Sequence, residues 1–160
     1  MGIVESVIGN DVGAVELFLN SGGDPNYDML GQSLLIVAAA LGRPQIVKLL
    51  IDRGARVDQI DHVGCNALHH AAWRGDLESM QILLAAGISP NVIDNNKNTA
   101  LLQAVSSPLV GDRMPMLKLL LAHGADPDLS GPGRRTPRSF VREVLRDPGL
   151  LAVIEQFKPL

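Results

Sequence analysis

The residues best suited to metal or nucleophilic chemistry lie in one short stretch, residues 61–70. This stretch contains the single cysteine and three of the four histidines: Cys65, His62, His69 and His70. A zinc site would need these histidines together with Cys65 or Asp61 in a tetrahedral arrangement. A cysteine nucleophile would need a base and an orienting group, which Asp61, His62 and His70 can supply. The stretch therefore raises two hypotheses, a metal site and a His/Cys-based enzyme.

The surroundings of Cys65 argue against an enzyme. Cys65 follows Gly64 in a segment typical of a turn, so we expect an open, solvent-facing thiol rather than one in a cleft. The segment GPGRR, Gly131–Arg135, lacks the Lys-Ser/Thr of a phosphate loop and predicts a flexible turn before the last helices. We therefore predict no catalytic residues, no metal and no cofactor, and the two hypotheses remain as alternatives.

Four segments of the chain repeat one another, and their starts are 32, 33 and 37 residues apart. The aligned segments are NDVGAVELFLNSGGDPN from Asn10, GRPQIVKLLIDRGARVD from Gly42, GDLESMQILLAAGISPN from Gly75 and DRMPMLKLLLAHGADPD from Asp112. Apolar residues recur in each at the spacing of one helix face, as at Leu77, Met80 and Leu84. Each run closes on a glycine such as Gly87, a residue that favours the end of a helix.

A second, shorter helical segment precedes each of the last three repeats. These segments are SLLIVAAALG, NALHHAAWRG and TALLQAVSS, and their small alanines allow helices to approach closely. The connections between units, NYDMLG, DQIDHVG and NVIDNNK, are rich in the Asp, Asn and Gly residues that form turns. Each unit therefore predicts a turn, a short helix, a tight bend and a longer helix. Because one unit cannot bury its apolar face alone, the units must stack.

The segment DHVGCNALHHAAWRGDLESMQILLAAGISPN resembles the ankyrin repeat, whose pattern is D-x-x-G-x-T-P-L-H-x-A-A-x-x-G followed by an amphipathic helix and G-A-D-x-N. The resemblance covers roughly residues 10 to 137. It implies an all-α ankyrin-repeat solenoid of about five helix-turn-helix units, with β-turn fingers and atypical terminal caps. We expect one domain over 1–160, with units at about 1–26, 27–58, 59–91, 92–128 and 129–160.

Three features of this sequence bear on the details of that fold. The resemblance implies that His69 is structural, with its ring hydrogen-bonded to the backbone of the neighbouring finger. Lys97 replaces the glycine of the turn pattern, which predicts a strained finger because lysine resists positive φ. The fourth unit carries four extra residues around 107–112, and we expect residues 107–113 to form a surface loop between two helices that projects opposite to the fingers.

Composition and charge restrict the classes of function. The longest apolar run is the eight residues Leu34–Leu41, far short of the ~20 that a spanning helix needs, so we expect no membrane segment. No secretory signal is visible, and the loose acylation pattern at Gly2 is an alternative that would add a membrane anchor. From Arg134 onward six basic residues face three acidic ones, whereas the preceding chain carries eight basic and fourteen acidic residues. An acidic body with 3% aromatic residues disfavours nucleic-acid binding and favours a basic partner.

In an ankyrin stack the fingers and the exposed side of each first helix form a concave groove. The groove positions of this chain hold Tyr27, Met29, Leu30, Leu41, Ile60, His62, Val63, His70, Trp73, Arg74, Asn95, Asn96 and Asn98. Exposed aromatic and apolar residues are typical of interfaces, although Leu41 and Trp73 can also serve to cover the helix stack. We predict a cytoplasmic, monomeric, non-catalytic module that binds another protein through this groove. The alternative is a bacterial immunity or inhibitor protein that masks the basic surface of a toxin or an enzyme.

Overall fold

A computed structural model of the chain, which describes residues 2–130 and 135–157, shows helix pairs stacked side by side. The first helices of the pairs are α1 Ile3–Ile8, α3 Leu34–Leu41, α5 Ala67–Arg74, α7 Ala100–Ser106 and α9 Pro137–Phe140. The second helices are α2 Val12–Asn20, α4 Pro44–Asp52, α6 Leu77–Ala85, α8 Met114–Ala122 and α10 Pro148–Gln156. Each first helix contacts the first helix of the next pair, and each second helix contacts the next second helix. The predicted all-α solenoid of about five units is confirmed.

Four of the first helices, α3, α5, α7 and α9, begin at equivalent positions because each is capped in the same way. Ser33, Asn66, Thr99 and Thr136 immediately precede α3, α5, α7 and α9. Each of these side chains accepts a hydrogen bond from the backbone N–H three residues later, which satisfies a donor that the helix itself cannot pair. The repeat pattern thus fixes where the helix beside each finger starts.

The core lies between the two layers of helices and runs the length of the stack. Leucines at equivalent positions of α3, α5 and α7, namely Leu35, Leu68 and Leu101, are almost completely buried. Alanines such as Ala38 and Ala71 are fully buried and let neighbouring first helices approach closely. Among residues 2–130 and 135–157, no helix is long and apolar enough to cross a membrane.

We call the segments 27–33, 60–66 and 93–99 the second, third and fourth fingers. The second finger is a small hairpin in which β1 Asp28–Met29 pairs antiparallel with β2 Gln32–Ser33. Its turn places Leu30 at φ +57° and Gly31 at φ +82°, a backbone that Leu rarely adopts. In the third and fourth fingers the backbone closes between Asp61 and Cys65 and between Asp94 and Asn98.

Lys97 has φ +70°, which confirms the positive φ predicted for this finger. The Lys97 side chain is exposed, so its burial does not offset the free-energy cost of this backbone conformation. A non-glycine residue in the left-handed region costs on the order of 1 kcal/mol. We expect Lys97→Gly to raise the free energy of unfolding by about 1 kcal/mol, measured by urea denaturation. Lys97→Ala keeps the β-carbon and should change it little; equal stabilisation by both variants would contradict the conformational explanation.

The predicted surface loop at 107–113 is present between α7 and α8, and Leu109 in it is 64% exposed, but part of the loop packs on the stack instead of projecting from it. Ser107 is fully buried and Val110 is 8% exposed. The Ser107 hydroxyl donates to the Trp73 carbonyl at the end of α5, and a β-carbon at Gly75 would lie 3.0 Å from Val110 Cγ2. Arg113 donates to the carbonyls of Val105 and Ser107. The loop covers the end of α5 because α7 ends without the left-handed glycine that turns the chain after α3 and α5.

A substitution at Val110 measures how much this loop contributes. Val110→Ala removes two buried carbons and should lower the free energy of unfolding by about 1–2 kcal/mol. Leu109, which is 64% exposed in the same loop, offers a matched control, and Leu109→Ala should be near neutral. Equal effects of the two substitutions in urea denaturation would show that the loop does not pack on the stack in solution.

The terminal unit is joined to the preceding one by an ion pair. Arg138 in α9 contacts both carboxylate oxygens of Asp128, at 2.7 and 2.9 Å, and these hydrogen bonds outweigh burial to raise the pKa of Arg138.

Asp147 caps α10 by accepting from two backbone N–H groups, as its position before Pro148 predicts. Of the GPGRR segment, residues 131–134 lie outside the described residues.

Candidate functional site

The third and fourth fingers and the exposed end of α5 surround a hollow of about 450 Å³. Its lining residues are Cys65, His69, His70, Trp73, Asn98 and Gln103. The residues that line the hollow therefore belong to the third and fourth units, which are the central units and have a further finger on each side. We take it as the centre of the candidate site.

His69 joins the third unit to the fourth finger from beneath this hollow. Its side chain is 1% exposed, and its Nε2–H donates to the Asn98 carbonyl at 3.3 Å. Its Nδ1 accepts from the backbone N–H of Asn66, whose side chain in turn accepts from the backbone N–H of His69. Burial lowers the pKa of His69, so the ring stays neutral at pH 7. The structural role that the resemblance implied for His69 is confirmed.

Asp61, Cys65 and His70 meet at the base of the hollow. His70 Nε2–H donates to Asp61 Oδ2 at 2.8 Å, while the other carboxylate oxygen accepts from the backbone N–H groups of Val63 and Cys65. Burial alone would raise the pKa of Asp61, but these hydrogen bonds outweigh it and lower the pKa. The aspartate is therefore an anion inside the third finger.

Cys65 is buried, so the expectation of a solvent-facing thiol is wrong. The fourth finger presses on the third, with Asn95 against Gly64, and the Cys65 side chain is left 6% exposed. Its S–H donates to Asp94 Oδ2 at 3.5 Å. Burial, with the nearby charges of Asp94 and Asp61, raises the pKa of Cys65 to about 12. This is the reverse of an activated nucleophile, so the geometry does not support the cysteine-enzyme alternative.

The fourth finger repeats the arrangement with amide side chains. Asp94, which is 2% exposed, accepts from Asn98 Nδ2 at 3.2 Å and from Gln103 Nε2 at 3.4 Å. Asn98 and Gln103 are the equivalents of Cys65 and His70 one unit earlier. Asp94 and Gln103 are functional candidates that were not predicted from the sequence. The signal was available, because Asp94 follows Asp61 by one repeat of 33 residues.

Large apolar side chains remain in solvent on the fingers and at the end of α5. Leu30 is 93% exposed, Ile60 57% and Trp73 41%. Six of the eleven exposed large hydrophobic residues among those described belong to this surface: Tyr27, Met29, Leu30, Ile60, Trp73 and Ile93. We call these six residues the apolar groove surface. Exposed apolar residues concentrated on one surface are characteristic of a contact site.

The other predicted groove residues divide into exposed and partly buried groups. His62, Arg74, Asn95 and Asn96 are exposed, whereas Leu41, Val63, His70 and Asn98 are partly buried. Several already have partners within the chain. The guanidinium of Arg74 lies against Gly42 and donates to the Ala40 carbonyl at 3.4 Å, where the carbonyl end of α3 favours a cation. Asn95 donates to the His62 carbonyl and so links two fingers.

Comparison with known proteins decides the family. The family model described as ankyrin repeats in three copies matches residues 3–94 and 64–131. The chain belongs to the ankyrin-repeat family. It is 32% identical over 153 residues to an ankyrin repeat-containing protein of Treponema pallidum, a match that covers 94% of this chain and 50% of that protein. It is also 30% identical over 169 residues to the nuclear factor NF-kappa-B p105 subunit of Gallus gallus, covering 97% of this chain and 17% of that protein.

A third relative matches over a shorter part of this chain. The match to the ankyrin repeat and KH domain-containing protein mask-1 of Caenorhabditis elegans is 35% identical over 102 residues and covers 4% of that protein. The ankyrin-repeat chain thus spans half the length of the Treponema protein and a small fraction of the other two. Ankyrin repeats generally mediate protein–protein interaction and are typically non-catalytic.

Proposed function

We propose that this ankyrin-repeat chain is a non-catalytic module that binds a partner protein through its concave groove. The observation that supports this proposal is the apolar groove surface, where Leu30, Ile60 and Trp73 stay in solvent while the leucines of the helix core are buried. Leaving such side chains in water has a free-energy cost that folding does not recover. A partner that covers them would recover it.

The hollow beside Trp73 gives the proposed interface a centre. A volume of about 450 Å³ can take one large side chain of a partner. Trp73 forms one wall, and the imidazole of His70 and the amide of Gln103 supply polar groups on others. A central pocket with an aromatic wall and a polar rim is the arrangement in which binding energy concentrates.

The charge distribution favours a partner with a basic surface. The chain before Arg134 has fourteen acidic and eight basic residues, and Asp24, Asp28 and Asp58 are exposed near the apolar finger residues. Opposite charge mainly accelerates encounter and selects among partners. We propose that basic residues of the partner flank an apolar anchor. If the partner is a toxin or an enzyme, the same contact would inhibit it, as in a bacterial immunity protein.

A photo-cross-linking experiment tests which surface is used. A photoreactive residue at position 60 lies on the third finger, whereas one at position 48 lies on the exposed side of α4. In lysate of the source cells, position 60 should capture one defined protein and position 48 should not. Capture of the same protein from position 48 alone would place the interface on the second helices and overturn groove binding.

A further inference from the structure

Three side chains of different metal-ligating types converge in the third unit. Their candidate ligand atoms, a carboxylate oxygen of Asp61, the Cys65 sulfur and a ring nitrogen of His70, all lie within 4.8 Å of one another. Nε2 is the nitrogen of His70 that contacts Asp61, at 2.8 Å. In a tetrahedral zinc site with bonds of about 2.0–2.3 Å, the ligand atoms are roughly 3.3–3.8 Å apart. Small side-chain rotations would therefore bring these three atoms around one ion.

Two of the three residues are not required by the fold. The ankyrin pattern fixes the position of Asp61, whereas Cys65 and His70 fall at its variable positions. The fourth unit shows that two amides, Asn98 and Gln103, meet the structural requirement around the equivalent aspartate. The third unit has a thiol and an imidazole in their place. Amides are poor zinc ligands, while thiolate and imidazole are the ligands that zinc prefers.

We propose that Asp61, Cys65 and His70 bind one divalent metal ion, and that zinc is the ion that these ligands suit best. The three ligands are the Asp61 carboxylate, the Cys65 thiolate and the His70 imidazole. Sulfur and nitrogen donors disfavour magnesium and calcium, which prefer oxygen. The fourth coordination position faces the hollow beside Trp73, where a water molecule or a donor atom of the groove's partner completes the tetrahedron.

The protons and charges of this binding step balance. The S–H bond of Cys65 breaks as the sulfur–metal bond forms, and its proton passes to solvent. The Nε2–H bond of His70, which donates to Asp61, also breaks. In the neutral imidazole this proton moves through solvent to Nδ1, so that Nε2 and the Asp61 carboxylate are both free to bind the ion. One thiolate and one carboxylate then neutralise the two positive charges of the ion. Asp94, 3.5 Å from the sulfur, adds a further negative charge at the edge of the site.

The test is a Co²⁺ titration of the full chain without an affinity tag, followed by competition with Zn²⁺. We expect one ion per chain, tetrahedral visible absorption and a thiolate-to-cobalt charge-transfer band, with Zn²⁺ displacing cobalt at a Kd of about 1 µM or tighter. Loss of an outer-shell partner typically weakens metal binding 10–100-fold, so loss of a ligand should weaken it at least about 100-fold. Cys65→Ser should also abolish the charge-transfer band, and His70→Gln should weaken binding while the band remains at saturation.

His62→Gln is the matched control, because His62 is an exposed histidine of the same finger outside the cluster. Its Co²⁺ spectrum and affinity should equal those of the unchanged chain. Binding without a charge-transfer band, or binding that survives both Cys65→Ser and His70→Gln, would show adventitious binding at surface groups and overturn the proposal. So would the absence of binding in the unchanged chain. Circular dichroism of both variants separates loss of the site from loss of the fold.

Discussion

Replacing Trp73 with alanine should weaken binding of the partner protein at least about 30-fold. Trp73 is 41% exposed at the end of α5 and walls the central hollow, so a partner side chain seated there would contact the indole directly. Tryptophan provides a large apolar area and one N–H donor with only two side-chain torsions to order. Truncating such an anchor typically costs about 2 kcal/mol or more of binding free energy. Isothermal titration calorimetry with the partner protein identified by photo-cross-linking measures the change in Kd.

The structure supplies both controls for this experiment. The Ser107 hydroxyl bonds to the backbone carbonyl of Trp73, so the alanine variant keeps the contact that holds the loop. Its circular dichroism and melting curve should therefore match those of the unchanged chain. Asn96→Ala, at an exposed rim position of the fourth finger, should weaken binding only a few-fold. If Trp73→Ala binds with unchanged affinity, the interface lies elsewhere, with the arginines of the terminal unit as the next candidate.

Most of the fold could be predicted from the sequence, because the same local signals occur in each repeat. Ser33, Asn66, Thr99 and Thr136 each mark the start of a helix, and the structure uses all four as caps. Hydrogen bonds of this kind depend only on residues within one turn, so sequence alone can locate them. The same holds for Lys97, whose positive φ follows from its place in a turn of known shape.

Features that depend on the neighbouring unit were missed. Cys65 lies in a turn, and nothing within that turn shows that Asn95 and Asp94 of the next finger will cover it. Val110 lies in an inserted loop whose burial depends on the space beside Gly75. Arg74 was predicted as a groove residue, but its guanidinium donates to the Ala40 carbonyl at the end of α3. Sequence can place a residue in a finger, while its burial is decided by a segment about 30 residues away.

His69→Ala should lower the free energy of unfolding by about 1–3 kcal/mol. His69 is 1% exposed. Its imidazole accepts a hydrogen bond from the backbone N–H of Asn66 in its own unit and donates one to the Asn98 carbonyl of the next unit. Removing the ring leaves both backbone groups buried without this partner, and an unpaired buried polar group costs about 1–3 kcal/mol. The midpoint of urea denaturation measures the loss.

The exposed His62 of the third finger is the control for this loss of stability. His62→Ala removes the same side chain without removing a buried bridge, so it should change the free energy of unfolding by less than about 0.5 kcal/mol. In a solenoid each unit is stabilised by its neighbours, so His69→Ala should also weaken the contact between the third and fourth units. Amide hydrogen exchange should then accelerate in the fourth finger and α7 more than in α1 and α2. Equal acceleration along the whole chain, or equal effects of the two alanine substitutions, would show that His69 does not link the two units.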